Sequence, residues 1–342
     1  RRLPGGLLHV NIAGCTIFAA ISGSSAATVA TVGKMSIPEL RRRRYPERMI
    51  IGTLAGAGTL GLLIPPSITL IIYGVTVNES IAQLFIAGVL PGLMLALLFM
   101  TFVGLWSIFR GGNPEQTEGD EHAGRVGDVL KLMPIVALIG AVMGSIYTGI
   151  ATATEAAVLG VIGALILSAL QRSLTWQSFT DALLGATRTS AMIAFILAGS
   201  TFLSLAMGFT GLPRTLATWI GELGLTPWML IFALMLFYIV LGCFLDGISS
   251  VVLTMAVIEP LVRQAGFDMI WFGIFLMIVV EMAQITPPVG FNLFVLQGMT
   301  GRDMAFIARA ALPMFLIMVL AVGILSAFPQ IATYLPSAMS GR

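Results

Sequence analysis

Two clusters of small polar residues interrupt long apolar stretches of the sequence, one in residues 7–33 and one in residues 227–260. Hydroxyl, carboxylate and backbone oxygens are the ligands that hold hard cations, and the glycine in each cluster lets the backbone turn. We interpret both clusters as candidate sites for a cation and a polar substrate. The alternative is close helix packing, with each serine hydroxyl bonded to the preceding turn. The candidates are Ser22, Gly23, Ser24, Ser25, Asp246, Gly247, Ser249 and Ser250.

Two further interruptions carry consecutive prolines, in the apolar runs 48–77 and 269–298. Proline removes a backbone donor and clashes with the preceding turn, so each pair breaks a helix and frees carbonyl and amide groups. Free carbonyls can hold a desolvated Na⁺, whereas the N-terminal end of a half-helix favours an anion. A structural kink is the simpler interpretation, but a kink needs only one proline. The candidates at the two breaks are Gly61, Pro65, Ser67, Thr286, Pro287, Gly290 and Asn292.

Three acids lie within or at the edge of apolar segments. Carboxylates inside a membrane are costly to bury and are functional candidates by default. We expect Glu155 to be a hydrated acid near the membrane surface. Asp246 is either a cation ligand or the cap of the returning helix, and Glu281 could pair, cap, or bind a proton or a cation. The two histidines, His9 and His122, have no cysteine or acid at metal-ligand spacing.

These residues must be positioned by helices that lie in a membrane. Of the 342 residues, 57% are hydrophobic and 10% are charged, against roughly 25% charged in a soluble domain. Backbone groups in lipid must pair internally, and the long apolar runs lack the alternation of a barrel strand. The sequence therefore predicts an all-α polytopic membrane protein. It shows no phosphate-binding loop and no nucleophile–base pair, which argues against an ATP-driven motor or an enzyme.

The spacing of the interruptions predicts an inverted repeat. Gly23 and Pro65 are 42 residues apart, and Gly247 and Pro287 are 40 apart. Each half therefore consists of a re-entrant hairpin, a broken helix and a full span, an arrangement typical of ion-driven secondary transporters. Scaffold-type helices precede the second hairpin, and no counterparts precede the first hairpin. We therefore expect about three helices upstream of Arg1. We predict a single domain, residues 1–342. Its first half is residues 7–109, its scaffold-type helices lie in residues 131–209, and its second half is residues 227–330.

The placement of lysine and arginine predicts the orientation, because cytoplasmic loops carry an excess of these residues. We expect the loop after the first hairpin to be cytoplasmic. This places 210–226 outside and makes the second hairpin open to the opposite face. The acidic loop 110–130 fits poorly, although acids contribute little to the rule. The cations that we assign to the loop after the first hairpin are Lys34, Arg41, Arg42, Arg43, Arg44 and Arg48.

Four stretches carry a family resemblance: FAAISGSSAATVATVGKMSIPEL, GTLGLLIPPSITLIIYGV, LGCFLDGISSVVLTM and EMAQITPPVGFNLFVLQGM. They look like the large membrane subunit of tripartite ATP-independent periplasmic (TRAP) transporters, in the dicarboxylate-type (DctM) permease family. The resemblance covers nearly all of residues 3–335, with the motifs in the order of the family. It implies an elevator-type ion transporter fold, in which two hairpins and two broken helices form a mobile domain.

The resemblance also implies a function and partners. The chain would be a symporter of the bacterial inner membrane, without a cofactor, that couples the transport of an organic acid to a Na⁺ gradient. Its partners would be a small four-helix membrane subunit and a periplasmic substrate-binding protein, with no nucleic acid. By motif, one Na⁺ site would include Ser24, Ser25, Gly61, Pro65 and Ser67. The other would include Asp246, Ser250, Thr286, Pro287 and Gly290. The substrate would lie between the tips, near Ser22, Gly23, Ser24, Ser25, Asp246, Gly247, Ser249, Ser250 and Asn292.

Two alternative functions remain open from the sequence. The first is a stand-alone Na⁺- or H⁺-coupled anion symporter of the same architecture, which would need no binding protein. The second is a passive channel or an intramembrane enzyme. A channel would conduct without a gradient of a second ion, and an enzyme would need a catalytic pair that the sequence does not show.

Overall fold

The structure is a computed structural model that describes residues 4–110, 126–211 and 226–339, with isolated positions between 215 and 224. All regular secondary structure in these ranges is helical, which confirms the predicted all-α class. The chain forms two compact units, one of residues 1–117 with 207–342 and one of residues 118–206. His122 and most of the predicted loops 110–130 and 210–226 lie outside the described residues.

The first unit begins with a helical hairpin of α1 (Leu8–Ser22) and α2 (Ser25–Arg42). Gly23 ends α1 with φ of 57°, a left-handed conformation that glycine adopts without a steric cost. The Ser24 hydroxyl then accepts a hydrogen bond of 3.4 Å from the Ala27 N–H and caps α2. The prediction of a loop from Lys34 onward was wrong, because α2 continues to Arg42. Lys34 lies on the exposed surface of α2, and Arg41 and Arg42 lie in its last turn.

A broken helix follows the first hairpin. It consists of α3 (Glu47–Gly58), α4 (Leu60–Leu63) and α5 (Ile68–Val77), with a bend of 42° between the α3–α4 part and α5. The Ser67 hydroxyl accepts from the Leu70 N–H at 3.3 Å and starts α5 after the Pro65-Pro66 pair, whose peptide bond is cis. The long helix α6 (Ile81–Arg110) completes this part of the unit and contains Pro91 without ending there.

The second unit contains α7 (Val126–Tyr147), α8 (Ala153–Leu170) and most of α9 (Trp176–Thr210). A capping box starts α8, in which the Glu155 carboxylate accepts from the Thr152 N–H at 2.8 Å. Glu155 is exposed, and its position near the membrane surface stays a prediction. The polar residues that follow Trp176 lie on exposed turns of α9.

The remaining helices belong to the first unit and form a second hairpin, a second broken helix and a long helix. The second hairpin is α10 (Pro227–Gly242) and α11 (Gly247–Gln264). The second broken helix is α12 (Met269–Gln284) and α13 (Phe291–Thr300), and its Pro287-Pro288 peptide bond is also cis. The long helix is α14 (Met304–Ala327), and a short α15 (Gln330–Met339), which the sequence did not predict, ends the described chain.

Several helices can cross a membrane by length and composition. Among the described residues these are α6, α8, α9 and α14, and the bent combination of α3, α4 and α5 is a fifth. The helices α1, α10 and α12 are apolar but shorter. This count agrees with the predicted polytopic membrane protein, although the elevator fold and the inverted repeat stay predictions.

The elements of the first unit pack reciprocally. Arm α2 of the first hairpin packs against α13, and arm α11 of the second hairpin packs against α5. In the same way α14 packs against α3, and α6 packs against α12. Nearly every side chain of α12 is buried, so this helix lies at the centre of the unit. Each half of the unit thus supplies packing surface that the other half lacks.

Candidate functional site

Two hairpin turns and two helix breaks meet in the first unit. We call residues 22–25 the first tip, 243–247 the second tip, 64–67 the first break and 285–290 the second break. Four helices begin at these segments, namely α2 and α11 after the tips and α5 and α13 after the breaks. The N-terminal turns of helices carry unpaired N–H groups and a partial positive charge. Such an arrangement can bind an anion at the amides and a cation at the carbonyls.

Backbone atoms of the first tip contact α4 and the first break directly. A Cβ atom at Gly61 would lie 2.6 Å from both the carbonyl carbon and the oxygen of Ser24, and one at Gly23 would lie 2.9 Å from the Pro66 oxygen. Only a hydrogen atom fits at either position. The structure therefore brings together Ser24, Ser25 and Gly61, which the sequence assigned to one site.

The three serines of the first tip have different roles. The Ser22 hydroxyl lies 2.7 Å from the Thr28 hydroxyl and donates to the Ser24 carbonyl at 3.1 Å. The Ser24 hydroxyl caps α2. The Ser25 hydroxyl points toward α12, where it lies beside the carboxyl group of Glu281. Ser25 is therefore the serine of this tip that faces a helix of the other half.

The second tip lies against the second break. The Cys243 thiol is 3.5 Å from the Pro287 carbonyl, and the Gln284 amide donates to the Leu245 carbonyl at 3.3 Å. Asp246 caps α11 by accepting from the Ser249 N–H at 3.4 Å, and its side chain is exposed. Of the two roles considered for Asp246, the structure thus shows the cap.

Carbonyl oxygens crowd around the second break. A Cβ atom at Gly290 would lie 2.7 Å from the carbonyl oxygens of both Gln284 and Thr286. The Thr286 hydroxyl donates to the Met282 carbonyl at 2.7 Å and so belongs to the end of α12. The break therefore presents backbone oxygens at close range, the kind of ligand that a desolvated cation requires.

Four buried polar side chains around the tips and breaks have oxygen or nitrogen atoms without a hydrogen-bond partner among the described residues. They are Thr69, Ser250, Glu281 and Asn292. A Cβ atom at Gly247 would lie 3.8 Å from Oγ1 of Thr69, so the second tip also reaches α5. Unpaired polar atoms are costly in an apolar interior, and at a binding site a ligand or water can pair with them.

Some of these positions were not selected from the sequence. Gln284 and Cys243 hold the second tip to the second break, yet neither was placed in a site. A glutamine within the apolar run 269–298 was a signal that could have identified Gln284. No local signal marks the contact of Cys243 with Pro287, because it depends on how the hairpin folds back.

A charged cluster joins the two halves at the arginine-rich face. Glu47, at the start of α3, accepts hydrogen bonds from Arg41 and from Arg302, with its Oε2 3.0 Å from Nε of Arg302. This carboxylate raises the pKa of the Arg302 guanidinium above its usual range. The guanidinium groups of Arg48 and Arg302 also lie 5.7 and 5.4 Å from the ring centroid of Phe306. The cluster therefore links the end of α2 and the start of α3 to the loop before α14.

Known proteins are similar to the chain over almost its entire length. The family described as "Tripartite ATP-independent periplasmic transporter, DctM component" matches residues 2–331. The C4-dicarboxylate TRAP transporter large permease protein DctM of Pseudomonas aeruginosa is 33% identical, over 98% of this chain and 78% of that protein. The isethionate TRAP transporter permease protein DctMQ of Oleidesulfovibrio alaskensis is 33% identical, over 98% of this chain and 52% of that protein.

A relative with a third named substrate is less similar. The sialic acid TRAP transporter large permease protein SiaM of Vibrio cholerae is 29% identical, over 99% of this chain and 79% of that protein. The match to the family and the identity to the first of these relatives confirm the resemblance inferred from the four sequence stretches. The chain belongs to the DctM family, the large permease component of tripartite ATP-independent periplasmic transporters.

Proposed function

We propose that this chain carries an organic acid across the bacterial inner membrane, coupled to the inward movement of Na⁺. The observation that supports this most directly is the meeting of two tips and two breaks around buried polar groups without partners. Irregular backbone inside a membrane is tolerated only where protein or a water-filled cavity surrounds it. Such a site is typical of secondary transporters with broken helices.

The substrate in this proposal is an anion, held between the two tips. Four helices begin at the tips and breaks, and the dipoles at their N-terminal ends favour a carboxylate or a similar acid group. The named substrates of the three relatives are C4-dicarboxylates, isethionate and sialic acid. All of these are organic acids, which supports the class without selecting one member.

In this proposal, as in the family resemblance, two Na⁺ sites lie at the tips and breaks. The first would lie where Ser24 and Ser25 approach Gly61 and the first break, with Pro65 and Ser67 beside them. The second would lie between the second tip and the second break, and its ligands would come from Asp246, Ser250, Thr286, Pro287 and Gly290. Backbone carbonyls would be the main ligands at both, because the hydroxyl groups of Ser24, Ser67 and Thr286 already bond locally, as helix caps or within a helix.

The proposed transport cycle needs two partners. A periplasmic binding protein would deliver the substrate, and a small four-helix membrane subunit would cover part of the lipid-facing surface. The extensive apolar exposure of α8 and α9 is compatible with lipid or with a partner helix. An elevator motion of the hairpins and broken helices would then carry the substrate across. A transporter of this kind catalyses no chemical reaction.

The proposal is tested by uptake of radiolabelled organic acids into proteoliposomes that contain the chain and its small subunit. Each acid is offered with and without an inward Na⁺ gradient and with and without the binding protein. Uptake that needs both supports the proposal. Uptake that needs Na⁺ but no binding protein would favour the stand-alone symporter, and uptake that needs neither would favour a channel.

A further inference from the structure

Glu281 lies in the last turn of α12, between the fully buried Val280 and Met282. Its side chain is 1% exposed, and neither carboxyl oxygen has a hydrogen-bond partner among the residues that the structure describes. Burying an ionised carboxylate without a partner is among the most costly events in a protein interior. The position therefore requires something that neutralises or pairs the carboxyl group.

A polar side chain beside the Glu281 carboxyl is that of Ser25, which belongs to the first tip. Its hydroxyl lies against the carboxyl group but outside normal hydrogen-bond geometry. Ser25 is also the first residue of α2, so the carboxyl lies near the N-terminus of that helix. A helix N-terminus contributes only about half an elementary charge, which leaves much of the carboxylate charge without a counterion.

The two halves differ at this position. Glu281 precedes Pro287 by six residues, and six residues before Pro65 the first half has Thr59. The Thr59 hydroxyl is already satisfied, because it donates to the Gly56 carbonyl at 2.6 Å. A formal negative charge is thus present before the second break and absent before the first.

We propose that Glu281 and Ser25 bind one monovalent cation between the first tip and α12. Glu281 supplies the negative charge, and Ser25 supplies a neutral oxygen from the opposite half. The inference rests on the proposed Na⁺ coupling and adds to it an anionic ligand contributed by the other half. Because the site exists only while Ser25 and α12 are in contact, cation binding holds the first hairpin against the second broken helix.

The test compares wild type, Glu281→Gln and Ser25→Ala in the complex of the chain with its small subunit. The thermal midpoint is measured while Na⁺ is titrated, with choline keeping the ionic strength constant. We expect Glu281→Gln to weaken the Na⁺ response at least about tenfold, because a charged ligand is lost. Without Na⁺ its midpoint should equal or exceed that of wild type, because an amide costs less to bury than an unpaired carboxylate.

A matched control is Glu259→Gln, which makes the same chemical change at an exposed ion pair with Arg263 in the same unit. It should leave the Na⁺ response unchanged. If Glu281→Gln does not fold, Glu281→Asp carries the test, because it keeps the charge but shortens the side chain; a weakened Na⁺ response is the expected result, and an unchanged response would refute the role of Glu281.

Three results would overturn parts of the argument. A wild-type Na⁺ response in both site variants would refute the Glu281–Ser25 site while leaving Na⁺ coupling intact. Destabilisation of Glu281→Gln by the same amount with and without Na⁺ would show that the end of α2 alone holds the carboxylate. No Na⁺ response in the wild type, together with uptake that ignores Na⁺, would refute the proposed coupling itself.

Discussion

Replacing Gly61 by alanine should separate the first tip from α4. The added methyl carbon would lie 2.6 Å from the carbonyl carbon and oxygen of Ser24 and 2.7 Å from the Cα atom of Ser25. All three are backbone atoms, so no side-chain rotation can relieve the contact. Gly61 is also fully enclosed within a buried turn, and the tip or the helix must therefore move.

The size of that movement follows from ordinary contact distances. Carbon atoms pack at about 3.5 Å, so the tip must shift by about 0.9 Å from the 2.6 Å contact. Inserting one methyl group into a packed interior costs about 1–3 kcal/mol. A misplacement of about 1 Å at a functional site can lower a rate about 100-fold. We therefore expect Na⁺-driven uptake to fall by about two orders of magnitude, with a smaller loss of thermal stability.

The assay is initial-rate uptake in proteoliposomes, with insertion checked by the amount of folded complex in the membrane. Gly298→Ala is the matched control, because a Cβ atom there would meet nothing within 4 Å and the residue lies in helix α13 of the same unit. The control should keep its uptake and gain slightly in helix stability. Uptake at the wild-type rate in Gly61→Ala would refute the idea that close backbone contact at the first tip is needed for transport.

Two further predictions concern stability. Asp246→Ala should lower the free energy of unfolding by about 1 kcal/mol, because the cap of α11 is lost. Asp246→Asn should leave it nearly unchanged, because asparagine caps a helix as well as aspartate does. Equal losses for the two variants in chemical denaturation would contradict the capping role. Glu47→Gln removes a carboxylate that pairs with Arg41 and Arg302, and should cost up to about 1 kcal/mol at low ionic strength and much less in concentrated salt. A loss of stability that does not change with salt would show that Glu47 acts through packing instead.

Sequence reasoning located the irregular segments well. The tip glycine, both proline pairs and the apolar runs around them each depend on local backbone chemistry, and the structure breaks its helices at these places. Helix lengths were predicted less well. The loop predicted from Lys34 onward is part of α2, which continues to Arg42; the prediction failed because polar residues on exposed helix turns look like loop residues in a sequence. The helix α15 was missed because it is short and contains Pro336.

The partners across the site could not be predicted in the same way. Ser25 and Glu281 are far apart in sequence, and nothing near either residue shows that they meet. The capping role of Asp246 could be recognised only by seeing which N–H group its carboxylate accepts from. Local patterns thus predict where the backbone breaks, whereas long-range packing decides which broken ends face each other.

The order of synthesis matters for a chain packed in this way. Since α2 packs against α13 and α5 against α11, the first hairpin is inserted long before its partner exists. Between Arg42 and Phe291 lie 248 residues, which a ribosome adds in about 12–50 s at 5–20 residues per second. During that interval the first hairpin has α4 and the first break beside its tip, but it lacks the surface of α13. The insertion machinery or a shallow, hydrated position at the membrane surface must shelter it until the last quarter of the chain arrives.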